Sequence, residues 1–139
     1  HPVAHSFPTR RSSDLGLITE VNCFGYAGLI AAYRHGEPWR RELIDTLRSH
    51  HRRIVDTLSD RHPDVRLARL EATYLAWLDV RAYGLERPAA HFEAHGIGLS
   101  NGVDFGAPTG FVRLNFGCSS TMLDEGLDRL CRALDAARA

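Results

Sequence analysis

The sequence predicts an α+β domain in which helices pack on one face of a small antiparallel sheet. Two observations point there: amphipathic stretches stand toward both ends of the chain, and short runs rich in β-branched and aromatic residues lie between them. A third bounds the answer. With 139 residues, 44% of them hydrophobic, the chain can bury one core without disulfides or metals.

The elements follow in order. Glu20 to Arg34 reads as a helix with Phe24, Ala27, Gly28, Ile30 and Ala31 crowded on one side, and His35-Gly36 ends it. This helix has no place in the predicted layer, so it is expected to pack against something outside it. Glu37-Pro38-Trp39 opens a long second helix, with proline near the first position, where its missing N–H costs nothing. Trp39, Leu43, Leu47, Ile54 and Leu58 form its apolar stripe, flanked by Ile44 and Val55. Arg40, Arg41, Arg48, Arg52 and Arg53 cover the remaining, solvated face.

Strands are expected next. Val65 to Leu70 alternates, and Thr73 to Val80 is a β-branched and aromatic run. Glu86 to His95 is a short helix stopped by Gly96, Ile97 to Leu99 is extended, and Asn101-Gly102 is a turn. Gly110 to Phe116 makes another strand. Thr121 to Arg138 is the last helix, with Thr121 and Asp124 at capping-box spacing and Leu123, Leu127, Leu130 and Leu134 along one side.

Composition excludes several functions. The 17 basic residues balance the 17 acidic ones, which argues against a nucleic-acid partner, and every hydrophobic run is too interrupted to span a membrane. Cys23, Cys118 and Cys131, without a CxxC pair, fit a reduced, cytoplasmic protein. All 17 basic residues are arginine, so no lysine is available for Schiff-base chemistry.

The first 15 residues have neither helical nor strand periodicity. His5-Ser6-Phe7-Pro8-Thr9-Arg10-Arg11-Ser12-Ser13-Asp14-Leu15 resembles the in-frame translation of a short-read sequencing adapter. Residues 1–15 are therefore expected to be a non-native, disordered segment. Residues 16–36 are read as a helical remnant of an interdomain region, and residues 37–139 as the domain proper.

The strand Phe111-Val112-Arg113-Leu114-Asn115-Phe116 carries the best candidate chemistry. Period two sends Val112, Leu114 and Phe116 to one face and Phe111, Arg113 and Asn115 to the other. The planar fork of Arg113 matches a carboxylate bidentately, although a solvated surface arginine would satisfy the same pattern. Other candidates read as structural. His91 and His95 stand at metal-ligand spacing but lack a completing acid or cysteine, and His50-His51 cannot chelate from one helix face. Cys118 has no visible base, so a small buried thiol is expected. Gly96 to Gly102 misses the dinucleotide glycine spacing and follows a helix rather than a strand.

From Thr73 onward the sequence resembles the C-terminal small domain of pyridoxal-phosphate C–S lyases of the PatB/MalY cystathionine β-lyase type, in the aminotransferase class I/II superfamily, fold type I. The matching pieces are Thr73-Tyr74-Leu75-Ala76-Trp77-Leu78-Asp79, Leu99-Ser100-Asn101-Gly102 with Phe105-Gly106, and Gly110 to Phe116. Upstream, Asn22-Cys23-Phe24-Gly25 and Ala31-Ala32-Tyr33 with Gly36 and Trp39 are also similar. The resemblance implies that Arg113 binds the α-carboxylate of a small amino-acid thioether. It implies α,β-elimination to a thiol, pyruvate and ammonia, with pyridoxal 5'-phosphate in the complete enzyme and a homodimeric assembly. The lysine, the phosphate-binding loop and the aspartate on the pyridinium nitrogen would lie in an N-terminal large domain missing here, so this chain alone is expected to be inactive and to hold no cofactor covalently. A class I/II aminotransferase fragment and a self-sufficient, non-catalytic α+β binding module remain alternatives. Leu70-Glu71-Ala72 stands where the family has Pro-Glu-Gly, a departure expected to touch the turn and no ligand.

Overall fold

The computed structural model describes residues 22–138, which fall into two compact units parted between Glu42 and Leu43. The adapter-like residues 1–15 and the start of the predicted first helix lie outside the described residues.

In the first unit, α1 spans Cys23–His35. The Asn22 side chain accepts the Gly25 N–H at 2.9 Å and so meets one of the amides a helix start leaves unpaired. Gly36 donates its N–H to the Ala32 carbonyl at 2.8 Å, ending the helix where His35-Gly36 predicts. No residue of α1 is buried. Helix α2, Glu37–Arg61, begins in this unit. Arg40 and Arg41 both donate to Glu37, at 2.7 and 2.8 Å, and hold its carboxyl down at about 2.

The second unit takes α2 from Leu43 onward. Ile54 and Leu58 of the predicted stripe are fully buried, while Trp39 is 67% exposed. His50 fills the gap the stripe leaves between Leu47 and Ile54. Its ring is buried, with Nδ1 3.3 Å from the Phe116 carbonyl oxygen and Nε2 3.1 Å from the Ser120 hydroxyl. A buried imidazole is tolerated because both nitrogens have partners.

The sheet contains β1 Arg66–Leu67, β2 Leu75–Asp79, β3 Ser100–Asn101 and β4 Phe111–Asn115, in the order β1-β2-β4-β3. Every neighbouring pair is antiparallel. The predicted strands are all shorter than expected. The Val65 to Leu70 run forms only two paired residues. β2 starts two residues late because Thr73, at φ +70°, has left-handed backbone that cannot extend a ladder; its hydroxyl accepts the Leu75 N–H at 3.2 Å.

Ala76, Leu78, Val112 and Leu114 point inward and pack in one core with Ile54 and Leu58 of α2, Phe92 of α3 (Pro88–Ala94), and Leu123, Leu127, Leu130 and Leu134 of α4 (Ser120–Ala136). This is the predicted arrangement of helices on one sheet face. Gly96, at φ +81°, ends the α3 segment in a conformation glycine adopts without strain. The cap of α4 differs from expectation. Ser119, not Thr121, accepts the Met122 N–H, at 3.3 Å, because its extended backbone marks the last non-helical residue. The Asn101-Gly102 turn is also longer than predicted, a 3₁₀ turn over Gly102–Phe105. A Cβ on Gly102 would come 2.6 Å from the Phe111 carbonyl oxygen, so only glycine lets this turn lie against β4.

Candidate functional site

The outer face of the sheet carries the candidate side chain, Arg113. Its strand period places Leu75, Trp77 and Asp79 beside Phe111, Arg113 and Asn115, opposite the buried inner positions. Register then aligns three of its residues: Arg113 pairs with Trp77 on β2 and with Ser100 on β3. Directly opposed residues project to the same side within about 5 Å of one another. Trp77, Arg113 and Ser100 therefore form a row across the sheet.

The 3₁₀ turn adds a fourth member. The Arg113 guanidinium carbon lies 3.9 Å from the centroid of the Phe105 ring. Trp77 meets the same ring edge to face, with centroids 6.0 Å apart and planes at 86°. Arg113 Nη2 donates to the Ser100 hydroxyl at 3.4 Å, a long contact. Its Nε is buried and has no acceptor among the described residues, and no acid pairs with the side chain there. The contrast with Arg81, on the same face, is instructive. Arg81 also rides an aromatic ring, Phe111 at 4.9 Å, but donates to Asp79 at 2.7 Å and holds that carboxyl below its usual range. Among the described residues, Arg81 has a counter-ion and Arg113 has none.

Asn115 shares the face with Arg113 as the strand period requires. Its Oδ1 is occupied by the Gly117 N–H at 3.0 Å, so its oxygen shapes the turn after β4.

The remaining sequence candidates sit elsewhere. His91 Nε2 is 2.8 Å from the Ala133 carbonyl oxygen and His95 Nδ1 is 2.8 Å from the His91 carbonyl, so the pair serves helix packing and capping. Among the described residues no group of three potential ligands could hold a metal. Burial pushes the Cys118 and Cys131 thiols up, opposite to the shift a nucleophilic thiolate requires. Gly96 to Gly102 runs from the end of α3 into β3, with Ile97 and Leu99 buried as packing residues. A concavity of about 850 Å³ between α2 and the 70–74 turn is lined by Arg48, His51, Arg52, Tyr74 and Phe116 and does not include Arg113. Its acids are already paired, Asp45 with Arg48 and Glu71 with Arg69.

Phe105, Trp77 and Ser100 lie inside the motifs that carry the family resemblance, yet strand period alone assigns only Trp77 to the outer face. Strand register brings Ser100 beside Arg113, and the turn geometry brings Phe105.

No family model matches the chain. It is 36% identical over 118 residues to cystathionine β-lyase PatB of Bacillus subtilis, an alignment covering 82% of this chain and 30% of PatB. To protein MalY of Escherichia coli it is 34% identical over 113 residues, covering 78% of this chain and 29% of MalY. Among solved structures, cystalysin from Treponema denticola, which contains a pyridoxal 5'-phosphate cofactor, superposes with a TM-score of 0.80 at 28% identity, covering 91% of this chain and 33% of cystalysin. The chain thus spans about 30% of the length of the curated relatives it matches. On this combination of sequence identity and shared fold, the chain is a homologue of the C-terminal region of the PatB/MalY-type cystathionine β-lyases.

Proposed function

We propose that this chain is the carboxylate-binding portion of a pyridoxal-phosphate-dependent carbon–sulfur β-lyase, and that Arg113 grips the α-carboxylate of a cysteine thioether such as cystathionine. The observation that carries this reading is the state of Arg113: a half-buried guanidinium, stacked on Phe105, whose charge no acid balances among the described residues. A guanidinium in that state is a ready partner for a planar anion, and an amino acid always brings one.

The chain itself does not fit covalent attachment of pyridoxal phosphate, because none of its 139 residues is lysine. Its part is binding and orientation. Two parallel hydrogen bonds from Arg113 fix the carboxylate plane, and with it the directions of the other bonds at the substrate's α-carbon. Phe105 lies against the guanidinium, and Trp77 meets the Phe105 ring edge to face. The overall elimination breaks the Cβ–S bond, releases the thiol, and consumes water to give pyruvate and ammonia. The lysine, the coenzyme site and the dimer contacts belong to the rest of the homodimeric enzyme in this reading.

The test uses the complete enzyme that carries this sequence, supplied with L-cystathionine. Pyruvate formed without any added keto acid supports the lyase. Turnover that requires a keto acid assigns the chain to an aminotransferase. The 139-residue chain incubated alone with coenzyme and L-cystathionine is expected to release no pyruvate.

A further inference from the structure

We infer that Phe105 is a positioning residue for Arg113, and that the edge-on contact from Trp77 holds it in place. The inference rests on the reading of Arg113 as the carboxylate clamp and extends it to the residues that orient that clamp.

A free arginine side chain explores many rotamers, and ordering it on binding costs free energy. Arg113 meets three restraints before any ligand arrives. The Phe105 ring lies under its guanidinium carbon at 3.9 Å, the Ser100 hydroxyl takes one Nη2 hydrogen, and antiparallel pairing with both β2 and β3 fixes its backbone. Only the first of these sets the plane of the fork. Ser100 at 3.4 Å is too long a partner to do so alone.

Phe105 is itself 50% exposed, so packing in the core does not explain why its ring stays there. Two features do. Trp77 and the ring meet edge to face at 86°, the favoured arrangement for aromatic quadrupoles. The turn carrying Phe105 lies tight on β4 because Gly102 has no Cβ to collide with Phe111. The ring faces the cation without neutralising it, which an acid in the same place would do, so the full charge stays available to a ligand. Arg113 is oriented by an aromatic surface where Arg81, on the same face, is tied down by Asp79.

The test is a set of variants of the complete enzyme, Phe105→Leu, Phe105→Tyr and Arg113→Lys, assayed with L-cystathionine. Phe105→Leu is expected to lower kcat/KM roughly tenfold through KM, with the melting temperature little changed because the side chain is half exposed. Phe105→Tyr, which keeps the ring, is expected to restore kcat/KM to within about twofold of the parent, and Phe105→Leu is expected to cost far less on an Arg113→Lys background. A readout independent of activity is the Arg113 Nε–H proton resonance of the 139-residue chain. The Phe105 ring current should displace it, Phe105→Leu should abolish the displacement, and Phe105→Tyr should keep it. If KM and the resonance are both indifferent to Phe105→Leu while Arg113→Lys is impaired, Phe105 has no positioning role and the clamp reading stands. If Arg113→Lys binds and turns over substrate like the parent, the clamp reading itself is lost, and this inference with it.

Discussion

Trp77 and Arg113 stand directly opposite one another across the β2–β4 pair, on the face of the sheet turned away from the core. The consequence is a guanidinium with aromatic neighbours and no counter-ion among the described residues. Replacing the fork by a point charge tests what that geometry is for. In the complete enzyme, Arg113→Lys is expected to lower kcat/KM for L-cystathionine by about 10–100-fold, the loss of one charge-assisted hydrogen bond and of bidentate geometry. A change below twofold, measured by pyruvate release, would remove Arg113 from the substrate site.

The core prediction concerns α4. Leu134 is fully buried in the cluster shared by α2, α3, α4 and the sheet. Leu134→Ala should destabilise the chain by about 2–5 kcal/mol, the transfer term plus a cavity the neighbours cannot fill. Urea denaturation followed by far-ultraviolet circular dichroism measures it directly. A loss under 1 kcal/mol would contradict the packing described for this helix.

The start of α4 gives a sharper contrast between two serine/threonine positions. Ser119 accepts the Met122 N–H and Thr121 lies inside the helix. Ser119→Ala is therefore expected to cost about 1 kcal/mol, and Thr121→Ala close to nothing. Equal effects in a chemical-denaturation comparison would return the cap to the position the sequence pattern suggests.

His62 makes stability depend on pH. Its side chain is fully buried, with Nδ1 3.1 Å from the Tyr83 hydroxyl and Nε2 3.6 Å from an Asp135 carboxylate oxygen. Burial dominates and pushes the imidazole below its ordinary 6.5, against the opposing pull of Asp135. The folded state thus prefers neutral His62, and the unfolded chain takes up the proton first as pH falls. The contribution is fully present above about pH 6.5 and is lost progressively as pH drops toward the folded-state value. Urea midpoints at pH 7.5 and pH 5.5 should differ less for His62→Gln than for the parent. Identical differences would place the proton uptake on other groups.

Much of this architecture is legible in the chain itself. The 3.6-residue spacing of Leu123, Leu127, Leu130 and Leu134 specifies the buried side of α4, and period two specifies which residues of β4 turn inward. The absence of lysine settles, without any structure, that no side chain here anchors pyridoxal phosphate by a Schiff base. Local rules succeed in these places because each depends on neighbours a few residues apart. They falter where a distant partner decides. His50 is polar and buried because Phe116 and Ser120 meet its ring. β2 starts late because Thr73 adopts left-handed backbone, and the Gly102 turn lengthens because it must lie on β4. The surroundings of Arg113 are the strongest case. Its face follows from strand period, but Trp77, Ser100 and Phe105 reach it from positions 36, 13 and 8 residues away, through strand register and one tight turn. Pairing register is a long-range property, and it left this arginine beside aromatic rings instead of an acid.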